Sequence, residues 1–285
     1  MMVAVASGKG GTGKTTVATG LALAWGWGQF LDCDVEEPNA HLLLRPEIRH
    51  WQKVYLYVPQ VNPQLCTYCG ECAQFCRYNA LAVIRESVTV FYELCHGCGG
   101  CTLVCPEKAI MEFPREIGVL EKGIVRGRIQ FLQGRLHLGE MATATVIGEL
   151  KRLVDPQEMV ILDAPPGTAT PLVATVEGSD YCLLVTEPTP FGLHDLEASV
   201  AVLRQLNIPC GVIINREGTG YTGIEEFCAR EELPILLRIP EDRCIAEGYA
   251  RGKTLVEIEP AYEMQLRKLL HHLAQTVTTD TGGPR

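Results

Sequence analysis

Ser7-Gly8-Lys9-Gly10-Gly11-Thr12-Gly13-Lys14-Thr15-Thr16 is the stretch that decides how this chain folds. It fits the pattern G-x-x-x-x-G-K-[ST], with Gly8, Gly13, Lys14 and Thr15 at the fixed places. Val3 to Ala6 before it is an apolar run of strand length, and Thr16 to Trp25 after it reads as a helix. A polyphosphate needs backbone N–H groups turned inward, and glycines let the chain wrap that closely without Cβ clashes. The helix then offers the positive end of its dipole to the anion. The pattern puts Lys14 on the β and γ phosphates and the Thr15 hydroxyl on Mg²⁺. Gly8, Lys9, Gly10, Gly11, Thr12, Gly13, Lys14, Thr15 and Thr16 are therefore the candidate phosphate-binding residues. The plainer alternative is a flexible glycine-rich turn, and strand, loop and helix in register argue against it.

The chain of 285 residues has room for one large α/β domain, or for such a domain carrying a small insert. Apolar content of 47% with 21% charged residues excludes a disordered chain. A net charge of −9 disfavours nucleic-acid phosphates and anionic membranes alike, since both attract basic surfaces. No apolar run is long enough to span a bilayer, and the first strand begins without a leader, so the expectation is a cytoplasmic protein. Thirteen cysteines are too many for chance packing in a compartment where disulfides are rare.

Eight of those cysteines form two sets. Cys66-x2-Cys69-x2-Cys72-x3-Cys76 is followed by Cys95-x2-Cys98-x2-Cys101-x3-Cys105-Pro106. Each cysteine of the first set recurs 29 residues later, as do Gly70 at Gly99 and Ala80 at Ala109, which marks an internal duplication. Thiolates at C-x2-C-x2-C curl round one cluster, and the fourth points at the other. The expected ligands are Cys66, Cys69, Cys72 and Cys105 for one [4Fe–4S] cluster, and Cys95, Cys98, Cys101 and Cys76 for the second. Zinc is the rival, but its sites use two separated pairs rather than two triplets with a remote fourth ligand. From about Pro63 to Pro114 the segment resembles a bacterial two-cluster ferredoxin, departing from it where Arg77 replaces the usual proline after Cys76. His96, between ligands, reads as a solvent-facing loop residue.

Elsewhere the chain alternates strand and helix. Gln29 to Asp34 is a strand ending in two acids, and the loop Glu36 to Asn39 follows at the end where open α/β sheets bind ligands. Val54 to Val58 is another strand, and Gly118 to Gly139 reads as strands or loops leading back to the parent sheet. After a helix at Ala142 to Leu153, Met159 to Asp163 is a buried strand whose terminal acid is placed to hold Mg²⁺. Strands at Tyr181–Val185, Gly211–Asn215 and Ile235–Ile239 alternate with helices at Leu193–Leu206, Ile224–Glu232, Arg243–Arg251 and Ala261–Thr276. Leu266, Leu269, Leu270 and Leu273 form an apolar stripe that reads as packed core, and a polar tail runs from Thr278 to Arg285.

The loop with its second lysine, Lys9, resembles the deviant Walker A of the MinD/ParA/Mrp class of P-loop ATPases. Asp163-Ala164-Pro165-Pro166-Gly167-Thr168, Thr186-Glu187-Pro188, Ile214-Asn215-Arg216 and Ile239-Pro240-Glu241-Asp242 extend the resemblance from Val3 to about Leu269. It implies a doubly wound, mostly parallel α/β sheet of the SIMIBI type, in segments 1–62 and 115–277, interrupted at 63–114 by the ferredoxin-like α+β insert. It further implies ATP and Mg²⁺ as ligands, with Lys14 and Asp34 catalytic and Asp34 orienting the attacking water. Thr15, Asp163 and Asp34 would serve the Mg²⁺, and Asn215, Arg216 and Pro240 the adenine pocket. Lys9 would cross to the partner's nucleotide in an ATP-closed homodimer, as a third catalytic group. Two departures stand out: there is no basic amphipathic helix at the C-terminus, and Cys33, Cys182, Cys210, Cys228 and Cys244 contain no C-x2-C pair and read as strand or core residues.

The first functional expectation is a nucleotide-switched ATPase that delivers low-potential electrons, or a redox signal, to a partner protein. A MinD-like spatial organiser with redox-sensing clusters comes second, and a cluster-assembly carrier third. No nucleic acid and no direct membrane contact are expected.

Overall fold

The computed structural model describes residues 1–218 and 220–280. Strand β1 (Met2–Ala6) feeds the glycine loop, and helix α1 (Lys14–Trp25) starts at the loop's lysine. Then come β2 (Gly28–Asp32), the short α2 (Ala40–Leu44) and a long β3 (Glu47–Val61). The cysteine segment holds α3 (Glu71–Phe75), the hairpin β4 (Leu81–Val83) and β5 (Val88–Val90), and α4 (Gly100–Val104). The chain returns through β6 (Ile110–Val125) and β7 (Ile129–Leu136). Next are α5 (Thr143–Lys151), β8 (Val160–Asp163), α6 (Thr170–Val176), β9 (Tyr181–Thr186) and α7 (Pro190–Gln205). β10 (Cys210–Glu217), α8 (Gly223–Arg230), β11 (Ile235–Pro240), α9 (Arg243–Ala250), α10 (Leu255–Ile258) and α11 (Ala261–Asp280) complete it.

Among the described residues one nine-stranded sheet runs in the order β11-β10-β9-β1-β8-β2-β7-β6-β3. Every pair from β11 to β7 is parallel, and β6 and β3 extend this edge antiparallel. The parallel strands are apolar at nearly every position because helices cover both faces. Ala4, Leu31, Val160 and Leu162 face α5 to α8, whereas Val3, Val5, Phe30 and Ile161 face α1, α10 and α11. Leu266, Leu269, Leu270 and Leu273 are buried against α1, so the stripe of the last helix is core. No helix among the described residues is long and apolar enough to cross a membrane.

Three outcomes differ from the sequence expectation. The strand expected at Val54–Val58 is 15 residues long, because β6 pairs with it from Glu47↔Ile124 to Val61↔Ile110. Val54, Leu56 and Val58 turn into the core, and the exposed Arg49 to Lys53 stretch carries no sequence alternation of its own. Residues 110–114, placed in the cysteine segment by their sequence, are the first turns of β6. The polar tail begins later than expected as well: α11 continues through Asp280, and 281–285 lie outside the described residues.

Candidate functional site

The glycine loop is locked from two sides. Gly13 caps α1 in the left-handed region at φ 90°, and a Cβ there would lie 2.2 Å from the Asn215 amide nitrogen. Asn215 Nδ2 donates to the Thr12 carbonyl at 2.7 Å, so the end of β10 holds the loop in place. A Cβ on Gly8 would come within 2.5 Å of the Asp195 backbone on α7. Glycine at both places is therefore a packing requirement.

Three acids gather at the ends of β2 and β8. Lys14 Nζ donates to Asp163 Oδ1 at 2.9 Å, while Asp163 Oδ2 is buried without a partner. Burial works to lower the Lys14 pKa, but Asp163, with Asp34 and Asp32 behind it, outweighs this and holds it above its ordinary value. Asp32 is fully buried beside Asp163 in the sheet register, and burial together with that neighbour pushes its carboxyl well up. Burial raises Asp34 to about 6. The unserved Asp163 oxygen, with Asp34 bordering the same region, fits a magnesium ion, which takes one or two carboxylates and fills its shell from phosphate and water.

Asp32 has a second task. Its Oδ1 accepts from the Asp34 amide at 3.2 Å, and its Oδ2 accepts from the amides of Asn39 and Ala40 at 3.0 Å each. One carboxylate thus anchors both ends of the loop that carries Asp34. Sequence reasoning noticed Asp32 only as the neighbour of Asp34. The chain path of the intervening loop decides this role, and no spacing announces it.

A cleft of about 1430 Å³, open to solvent, lies over the loop. Gly10, Gly11, Thr12, Gly13, Lys14, Thr15 and Thr16 line it, together with Asp34, Asn215, Arg216 and Pro240. Most of the expected phosphate residues, one of the acids and the three expected base residues therefore share one space. Asp163 sits beneath its floor, behind Lys14. Gly8 and Lys9 lie outside this cleft and border a small neighbouring hollow with Thr186 and Asp195. Lys9 Nζ pairs with Glu187 at 3.4 Å, and Glu187 also pairs with Arg216. Within one chain Lys9 is thus turned away from its own phosphate space.

The cysteine repeat is a repeat of backbone conformation too. Tyr68 and Gly97 have φ of 59° and 62°, Gly70 and Gly99 of 85° and 70°, and Asn79 and Lys108 of 53° and 50°. The sulfurs receive matching bonds. Amides of Tyr68 and Gly97 donate to Cys66 and Cys95 at 3.4 and 3.5 Å, and amides of Ala80 and Ala109 to Cys76 and Cys105 at 3.3 and 3.2 Å. Such N–H···S bonds stabilise sulfur that carries negative charge.

The eight cysteines line two separate cavities. One is bordered by Cys76, Cys95, Cys98 and Cys101, with Tyr57, Pro59 and Glu112 of the β3–β6 ribbon. The other is bordered by Cys66, Cys69, Cys72 and Cys105, with Val61 and Ile110 at the ribbon's far end. Each takes three cysteines from one half of the repeat and the fourth from the other half. Among the described residues no three His, Cys, Asp or Glu side chains converge on a single ion position. Zinc with sulfurs at about 2.3 Å would need that convergence, whereas a cubane cluster needs a void between the sulfurs. The donor set fits the cluster. His96 is exposed and stacks on Tyr78 with centroids 3.7 Å apart.

Of the remaining cysteines, Cys33, Cys182 and Cys228 are buried and Cys210 packs against the core. Cys244 departs from expectation: it is exposed in the first turn of α9, where its amide bonds to Asp242. That turn carries solvent-facing residues, so reading it from residue type alone misplaced it.

The CobQ/CobB/MinD/ParA nucleotide binding domain model matches residues 3–256. An uncharacterised protein of Methanocaldococcus jannaschii is 31% identical over 264 residues, which is 90% of this chain and 92% of its own length. An iron–sulfur cluster carrier protein of Pyrococcus abyssi is 25% identical over 275 residues, covering 89% of this chain and 78% of its own. Among solved structures, the cell division ATPase MinD of Pyrococcus furiosus superposes with a TM-score of 0.59 at 19% identity, over 95% of this chain and 98% of its own.

Proposed function

This chain belongs to the CobQ/CobB/MinD/ParA nucleotide-binding family, and on that premise we propose that it is an ATP-switched iron–sulfur protein that carries clusters to an acceptor. The observation that carries the reading is the pair of four-cysteine cavities on a chain with a complete phosphate loop. Two [4Fe–4S] clusters would be held by Cys66, Cys69, Cys72 and Cys105, and by Cys76, Cys95, Cys98 and Cys101. When bound they would supply one-electron chemistry or transferable iron.

At the other site, Lys14 and the loop amides grip the ATP phosphates, and Asn215, Arg216 and Pro240 frame the base. Thr15, Asp163 and Asp34 would hold Mg²⁺, which would supply positive charge to the phosphates. Lys14, paired with Asp163 in the free chain, would turn toward the anion. Asp34 is poised over the same space to orient a water. Lys9 leaves Glu187 to reach a second copy, which makes the closed state a homodimer across the loop.

The test loads the chain with clusters under anaerobic conditions and mixes it with an apo-acceptor ferredoxin, with and without Mg-ATP. Iron should appear in the acceptor, faster with ATP, and not when Lys14→Ala replaces the native chain. Retention of all iron under every condition sinks the carrier reading. The second reading, electron delivery, draws on the crossed ligand sets, because release of either cluster must open both halves of the repeat. It predicts that a cluster-loaded acceptor ferredoxin, offered in place of the apo form to the dithionite-reduced chain, is reduced while the iron stays behind.

A further inference from the structure

Arg115 on β6 joins two regions that the sequence holds far apart. Its guanidinium donates to both oxygens of Glu140, at 2.7 and 2.6 Å, and to the Tyr92 carbonyl at 3.0 Å. The side chains are only 24% and 12% exposed, so this is a fork-shaped, partly desolvated pair and not a floppy surface contact. Tyr92 opens the single 3-10 turn that leads into Cys95. The carbonyl that Arg115 grips also accepts the Cys95 amide at 3.2 Å. Arg115 therefore sets the position of the backbone at one cysteine of the cavity nearer the sheet.

The other end of the bridge leads to the nucleotide cleft. The Glu140 amide donates to the His137 carbonyl at 3.1 Å, closing the turn that follows β7. One residue earlier, the Leu136 amide donates to the Val35 carbonyl at 2.8 Å. Val35 follows Asp34 directly and packs so closely on Gly134 that a Cβ there would lie 2.7 Å from its methyl group. A displacement of the Asp34 loop is thus handed through Val35 to the end of β7, and from there to Glu140, Arg115 and Tyr92.

Among the described residues the other half of the repeat shows no such arginine bond in its corresponding place. The Cys66 amide is held by Asn62 at 3.1 Å, and Asn62 in turn by Ala109 and its own side chain's bond to Gln64. Gln64 and Ala109 belong to the cysteine segment itself, and Asn62 directly follows the end of β3, the ribbon end farthest from the nucleotide cleft.

We infer that Arg115 is a positioning residue that transmits the state of the Asp34 loop to the Cys95 backbone, so that nucleotide alters the nearer cavity and leaves the farther one unmoved. The inference rests on the nucleotide reading of the cleft, and its test separates the two. Hydrogen exchange is followed on the full chain as isolated, with and without Mg²⁺ and a non-hydrolysable ATP analogue, with analogue binding measured on the same samples. The amides of 94–97 should change their exchange rate about fivefold or more, and those of 65–68 should not. Arg115→Gln and Glu140→Gln should bind the analogue as the native chain does yet lose the response at 94–97. Arg115→Lys should not restore it, since an ammonium lacks the fork. Equal responses in both segments, no response in the native chain, or a response that survives both substitutions overturns the inference. A chain that binds no analogue overturns the nucleotide reading along with it.

Discussion

The two halves of the cysteine repeat share ligand spacing, left-handed positions and N–H···S bonds, yet they live in different places. One cavity borders Tyr57, Pro59 and Glu112 of the ribbon and is pinned through Arg115 to the parent sheet. The other lies at the end of the ribbon, bordered by Val61 and Ile110. Duplication supplied the same chemistry twice, and attachment made the copies unequal. Which copy feels the nucleotide is then a question about tethers, because the donor sets are alike.

The largest expected effect divides the nucleotide site from both copies. Lys14→Ala should slow ATP hydrolysis by about 10²–10³-fold while the iron content of both halves stays unchanged. Loss of iron alongside hydrolysis would mean that the cysteine segment depends on the loop for its folding. Next in size is Ile110→Ala. It should cost about 2–5 kcal/mol locally and loosen the far cavity, read as faster cluster loss there, while the nine-stranded sheet melts as before. Equal loss from both cavities would erase the distinction between them.

Cysteine swaps sharpen the ligand assignment. Cys76→Ser and Cys105→Ser should each lower iron from about eight to about four per chain, but spectroscopically opposite clusters should remain. Cys76→Ser should match Cys95→Ser, its cavity mate, and not Cys66→Ser, its neighbour in sequence. The reverse match would show that each half ligates its own cluster.

The smallest effect is a pH dependence. Burial raises Asp34 to about 6 in the folded chain against an ordinary 3.8. Between those values the folded state keeps a proton that the unfolded state has shed, so stability from this group is lost as pH rises from about 4 to about 6. Asp34→Asn should flatten that slope and raise the melting temperature of nucleotide-free protein at neutral pH by a few degrees, measured calorimetrically without metal. A steeper slope would place the charge imbalance elsewhere.

Much of this was legible in the sequence because backbone chemistry forces the residues. Gly13, Lys14 and the acid at the end of β8 are spaced by the needs of a phosphate loop, and the cysteine repeat is spaced by its ligands. Fold class followed from the alternation of strands and helices, together with the resemblance carried by the phosphate loop. The ribbon did not, because Arg49 to Lys53 gain strand structure only from pairing with β6. Helix α6 was also missed: Thr170 to Val176 is short, begins with proline near its start and contains β-branched residues. Arg115, Glu140 and Tyr92 lie 25 and 23 residues apart in the chain and obey no period, so tertiary packing alone brings them together.

The most direct test of the central claim, that nucleotide state reaches the iron–sulfur sites, is the reduction potential of each cluster in anaerobically isolated protein, with and without Mg-ATP. The account predicts a shift of about 60 mV or more, a tenfold change in a one-electron equilibrium, at the cluster of Cys76, Cys95, Cys98 and Cys101. The cluster of Cys66, Cys69, Cys72 and Cys105 should keep its potential. Two unmoved potentials, or two that move together, would contradict it.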